Sequence, residues 1–165
     1  ELLYNESKDD ETIYLYFKLA LNTGARLATL QNICKKDIDF THNLITLKDF
    51  KNNSTYKTFL NSQLKELLQN RVEKMNINDK VLSIYPEKRM KKIIDDLFNQ
   101  GMDVNDRKNR VVFHSLRHTF ASHLAINGTP IFTIQKLMNH KDITMTMRYA
   151  KLAPDSGREA IENLF

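Results

Sequence analysis

Between Ile38 and Leu60 the apolar residues leave helical spacing, and this change of period limits the folds open to the chain more than any other feature. Ile38 and Phe40, then Leu44, Ile45 and Leu47, then Tyr56, Phe59 and Leu60 form three short runs. Thr41-His42-Asn43 and Lys51-Asn52-Asn53-Ser54 part them, as turn residues part the strands of an antiparallel meander. Elsewhere the period is helical. Residues 12–22 set Ile13, Phe17 and Leu21 four apart with Leu15 and Leu19 alongside, start after Glu11 and stop at Gly24. A short helix over 28–33 carries Leu30 and Ile33 after Leu27. Ser62 opens one with Leu64, Leu67, Leu68 and Val72, and Pro86 starts one with Met90, Ile93, Ile94, Leu97 and Phe98 that Gly101 closes.

The last third continues in the same way. Residues 114–127 bury Leu116, Phe120, Ala121 and Leu124 and stop at Asn127-Gly128; Thr129 and Pro130 then start 131–138, and Asn139-His140 breaks the chain again. A further helix begins near Thr144 and carries Tyr149, with Met145 and Met147 read as packing around it. Residues 158–165 form a terminal amphipathic piece. Together these predict one α+β domain, mainly α-helical, with a small three-stranded antiparallel sheet.

At 165 residues the chain buries enough surface to need neither disulfides nor a structural metal. The single cysteine, Cys34, has no internal partner, and a reducing cytoplasm is the simplest compartment for it. Charges interrupt every apolar run before membrane-spanning length, so no membrane partner is expected. The chain begins at Glu1 and not at Met, from which a fragment lacking an N-terminal partner domain is expected. Residues 107–149 hold seven Lys or Arg against one acid, Asp142, and four of the five histidines. Such a one-signed stretch points toward a polyanion, and toward nucleic acid first. The basic run Lys88, Arg89, Lys91 and Lys92 reads as a solvated helical face.

No Gly-rich phosphate loop, nucleophile elbow or acidic cluster for Mg²⁺ is present, which argues against nucleotide hydrolysis and two-metal nuclease chemistry. His114, His118 and His123 lack a further ligand at suitable spacing, so a metal site is not favoured, and His118 and His123 read as structural or exposed. What remains is a set without a carboxylate at its centre: Arg26, His114, Arg117, His140 and Tyr149. Two guanidiniums can grip the non-bridging oxygens of a phosphodiester and stabilise a pentacoordinate transition state without metal. A tyrosine hydroxyl, with an ordinary pKa of about 10, becomes a nucleophile only when a neighbouring base takes its proton. His114 is the candidate base.

Three stretches carry a resemblance: Thr23-Gly24-Ala25-Arg26; His114-Ser115-Leu116-Arg117-His118-Thr119; and Leu137-Met138-Asn139-His140, with Tyr149 nine residues after that histidine. In order and spacing, including the 23 residues from Arg117 to His140, the chain resembles the C-terminal catalytic domain of the tyrosine recombinases, or phage-type integrases. The resemblance extends over practically the whole chain. It implies that Tyr149 attacks the scissile phosphate to give a 3′-phosphotyrosyl link, that Arg26 and Arg117 bind the phosphate, and that His114 and His140 complete the pocket. It also implies a lysine in the turn between the second and third strands that protonates the departing 5′-oxygen; Lys51 fits best, flanked by Lys48 and Lys57. No cofactor is implied.

Two positions depart from the family pattern. Thr29 stands where many members carry an acid, so an acidic partner there is missing or supplied elsewhere; Asn139 replaces the usual Gly before the second histidine. The function implied is site-specific recombination of double-stranded DNA, for integration, excision or chromosome dimer resolution. The full-length protein is expected as a tetramer on its site, with residues 150–165 as an exchange segment between protomers and the fragment monomeric. A DNA-relaxing topoisomerase and a non-catalytic DNA-binding relative are the alternatives.

Overall fold

The computed structural model describes residues 1–155 and 161–162. Helices α1 (Leu2–Ser7), α2 (Glu11–Thr23) and α3 (Leu27–Leu30) precede strands β1 (Ile38–Asp39), β2 (Leu44–Asp49) and β3 (Ser54–Phe59). Then follow α4 (Ser62–Val72), α5 (Glu87–Phe98), α6 (Ser115–Ile126), α7 (Ile131–Leu137) and α8 (Thr144–Met147), with 3-10 turns at Lys35–Asp37 and Ala150–Leu152. The fold is therefore a mainly helical α+β domain. The strands lie in the order β1-β2-β3, all antiparallel.

Helix α2 is the axis of the core. Its Ile13, Leu15, Tyr16, Phe17 and Leu19 are at most 1% exposed, because α1, α3, α4 and α6 all pack on it. Covered on several sides, the helix keeps only a narrow polar stripe of Glu11, Tyr14, Lys18 and Asn22. Asp10 caps it by accepting the Ile13 N–H at 3.0 Å. Gly24 ends it in the left-handed region, and a Cβ there would lie 2.3 Å from the Phe120 ring of α6. Conformation and close approach thus both demand glycine.

Ile45 and Leu47 of β2 turn into this core opposite Thr58 and Tyr56. The pleat then places Thr58 inward and Phe59 outward, 68% exposed, so the apolar run read over Tyr56, Phe59 and Leu60 straddles both faces of the sheet. A second, smaller cluster gathers Ala121, Ala125, Ile134, Met138 and Tyr149 between α6, α7 and α8.

Four expectations require correction. Helix α1 lies before the first helical pattern read from the sequence, since six residues are too few to display a period; its Leu3 and Ser7 are buried, and the helix packs on α2 and α5. Helix α3 spans four residues, not six. Tyr149 falls just beyond α8, at the start of the 3-10 turn. Met145 and Met147 are half exposed and do not pack around the tyrosine. The expected tail over 158–165 lies outside the described residues apart from 161–162. Among the described residues no helix is long and apolar enough to cross a membrane.

Candidate active site

Five separate segments meet at one open cleft of about 430 Å³, lined by Arg26, Lys51, His114, Arg117, His140 and Tyr149 together with His118, Met138, Thr144, Met145 and Arg148. All six residues singled out in the sequence therefore stand around one space, although up to 123 positions separate them.

Arg117, on the first turns of α6, is 3% exposed. Its two terminal nitrogens donate to the carbonyls of Gly24, at the end of α2, and Met138, after α7. One guanidinium thereby fixes three segments, and its fork of five donors retains others for a ligand. Burial and then the Arg26 charge pull its pKa down. Arg26, in the extended residue before α3, pairs with Asp49 at the end of β2.

Asp49 supplies the carboxylate that the sequence lacks at Thr29, which is buried. Burial pushes Asp49 up, but the Asn139 hydrogen bond and the Arg26 charge outweigh it and hold the carboxyl below its ordinary range. Lys51 follows in the β2–β3 turn. Lys48 pairs instead with Asp37 at 3.3 Å, and Lys57 sits mid-strand opposite Thr46, so of the three lysines Lys51 is the one at the cleft.

The Asn139 backbone is left-handed, φ 50°, a conformation that asparagine adopts more readily than most residues. That turn presents His140, whose Nδ1 lies 2.9 Å from the buried Thr146 hydroxyl. Nε2 is left to meet a ligand. Burial first, then Arg117 and Arg26, push His140 down to about 4. His114 and His118 are pushed down as well, chiefly by burial. The cleft therefore holds neutral imidazoles among cations.

Tyr149 is 4% exposed, its ring in the small apolar cluster. Its hydroxyl lies 2.6 Å from Nδ1 of His118. Burial raises the Tyr149 pKa in spite of Arg148 and Arg117. His114, the base read from the sequence, is instead packed edge-on against His118, ring centroids 5.2 Å apart. It sits at the N-cap of α6, one turn before the position that faces the tyrosine. His118, read as structural, thus holds the place assigned to His114. Arg148 and Asp49 were also missed: a surface-type arginine and a strand-end acid carry no local signal, beyond their positions beside Tyr149 and Lys51.

Residues 1–155 match the model of the phage integrase family. Tyrosine recombinase XerA of Saccharolobus solfataricus is 31% identical over 144 residues, covering 87% of this chain and 47% of that protein. The catalytic domain of bacteriophage HP1 integrase has the same fold, with a TM-score of 0.71 at 23% identity over 92% of this chain and 82% of that one. So does the Tn1549 transposon integrase in complex with transposon right-end DNA, at TM-score 0.73 and 20% identity over 99% and 62%. The chain spans about half the length of the XerA relative.

Proposed function

The chain belongs to the phage integrase family, and on that premise we propose that it is the catalytic domain of a site-specific recombinase acting on double-stranded DNA. The carrying observation is the convergence of Arg26, Lys51, His114, Arg117, His140 and Tyr149 on one cleft. Arg26 and Arg117 hold the non-bridging oxygens of the scissile phosphate, with His114 and His140 as further donors. The Tyr149 oxygen attacks phosphorus while its proton passes to the neutral Nδ1 of His118. The bond from phosphorus to the 5′-oxygen breaks, and Lys51 protonates that oxygen. A 5′-hydroxyl from another strand reverses these steps and seals the new junction, so the energy of one ester is kept in the next.

Several features support this reading over a binding module. A protein that only binds DNA has no use for a buried tyrosine hydroxyl aimed at an imidazole beside two arginines. On the same reading a second domain closes around the duplex and the active assembly is a tetramer, with the C-terminal segment exchanged between protomers.

The test incubates the full-length protein with a library of nicked suicide duplexes randomised through the recognition region and isolates SDS-resistant protein–DNA adducts. Adducts that vanish in Tyr149→Phe while DNA binding persists support the proposal. Adducts that survive in Tyr149→Phe overturn the nucleophile, and absence of adducts from the unaltered protein overturns the function. Joining of two different captured duplexes is the outcome for a recombinase, whereas relaxation without joining marks a topoisomerase.

A further inference from the structure

Asp49 is buried to 2% exposure and accepts hydrogen bonds from five donors. One oxygen receives the backbone N–H groups of Lys51 and Asn52, at 3.1 and 3.3 Å. The other receives Arg26, the Asn52 side chain at 3.0 Å and the Asn139 side chain at 2.9 Å. A carboxylate offers about four lone-pair sites, so this one has no capacity left for a ligand or a proton. It is a junction and not a reactant.

The donors come from three places that must agree for phosphoryl transfer. Arg26 lies at the end of the α2–α3 connection, Lys51 at the tip of the hairpin, and Asn139 next to His140. The hairpin and the His140 turn are stitched further: Asn52 donates to the Asn139 carbonyl at 3.1 Å, and Asn139 to the Ser54 hydroxyl at 2.8 Å. An exposed lysine at a hairpin tip would otherwise sample many positions. Here the backbone beneath it is bonded to the same carboxylate that holds the arginine, through its other oxygen.

We propose that Asp49 is a positioning residue that sets Arg26, Lys51 and His140 in register with one another, and that Asn139 is its bridge to the histidine turn. This inference rests on the recombinase reading given above. Replacing Asp49 by asparagine conserves shape but removes the charge and one of the two acceptor oxygens, so the junction loosens at all three places: the arginine loses its charged partner, and the hairpin and Asn139 donors compete for the one oxygen left.

Two measurements on Asp49→Asn test it. In the free protein, amide hydrogen exchange at Lys51 and Asn52 accelerates roughly tenfold or more while α2 and α6 keep their protection. On a captured duplex at saturation, single-turnover adduct formation slows by about 10- to 100-fold with unchanged DNA affinity, the scale of an ångström-level misplacement. That deficit shrinks several-fold on a methylphosphonate linkage, whose missing charge leaves less for Arg26 to neutralise. The buried acid Asp37, in the 3-10 turn before β1 and paired with Lys48, is the control. Asp37→Asn lowers stability without changing the ratio between the two linkages.

Unchanged exchange at Lys51 and Asn52 overturns the proposal, and so does slowing that is equal on both linkages. If the unaltered protein forms no adduct, the recombinase reading fails, and the exchange measurement alone decides whether Asp49 orders the hairpin.

Discussion

His114 and His118 are the same side chain one helical turn apart, and only the second touches the tyrosine. Their difference lies in where α6 meets the 3-10 turn that bears Tyr149, at 2.6 Å from His118 Nδ1. On the recombinase reading, His118→Phe lowers the rate of adduct formation by about 100-fold, the usual worth of a general base. Its residual rate rises steeply with pH toward the raised pKa of Tyr149; a residue that merely packs would give a parallel profile, and that result would remove His118 from the mechanism. Arg117 makes a second case at this scale. A lysine cannot reach both the Gly24 and Met138 carbonyls, so Arg117→Lys leaves one buried acceptor unpaired. Denaturant unfolding then shows a loss of about 1–3 kcal/mol in addition to the lost adduct.

At the scale of elements, the C-terminus of α2 sets the cleft. Gly24 turns the chain in the left-handed region, lies against Phe120 and presents its carbonyl to Arg117. Gly24→Ala forces a Cβ into the Phe120 ring and destabilises by about 2 kcal/mol or more, read from the denaturation midpoint. Adding Phe120→Leu relieves the steric part and leaves the backbone part. Full stability in the single variant would show that α2 and α6 can part without cost. The hairpin contributes differently, since its strands obey the period-2 pattern while its tip is placed by side chains of distant segments.

Over the whole molecule, the histidines of the cleft couple folding and binding to pH. His140 is pushed down to about 4 from 6.5, and His114 and His118 are lowered too. The unfolded chain therefore binds more protons below pH 6.5, so their contribution to stability is present above that pH and is lost as pH falls toward 4. The melting temperature declines across that window, and His140→Asn flattens the decline. On the recombinase reading, duplex DNA reverses the sign for binding. Its phosphates favour the charged imidazoles, so affinity rises as pH falls from 7 to about 5, with proton uptake measurable by calorimetry in two buffers. Raising salt weakens binding steeply through counterion release.

The helical stripes, the three-stranded meander and five of the residues at the cleft are legible in the amino-acid order, because period and motif spacing are local properties of a chain. Lys51, the best fit by its place in the turn, is further set apart from Lys48 and Lys57 by their partners in space. Helix α1 was too short to show a period. Which of His114 and His118 lies against Tyr149, the pairing of Asp49 with Arg26, and the tie from Asn139 to the hairpin are visible only in the tertiary structure. Each depends on the distance between segments far apart along the chain, and hydrogen bonding decides at a few tenths of an ångström what residue spacing leaves open by a full helical turn.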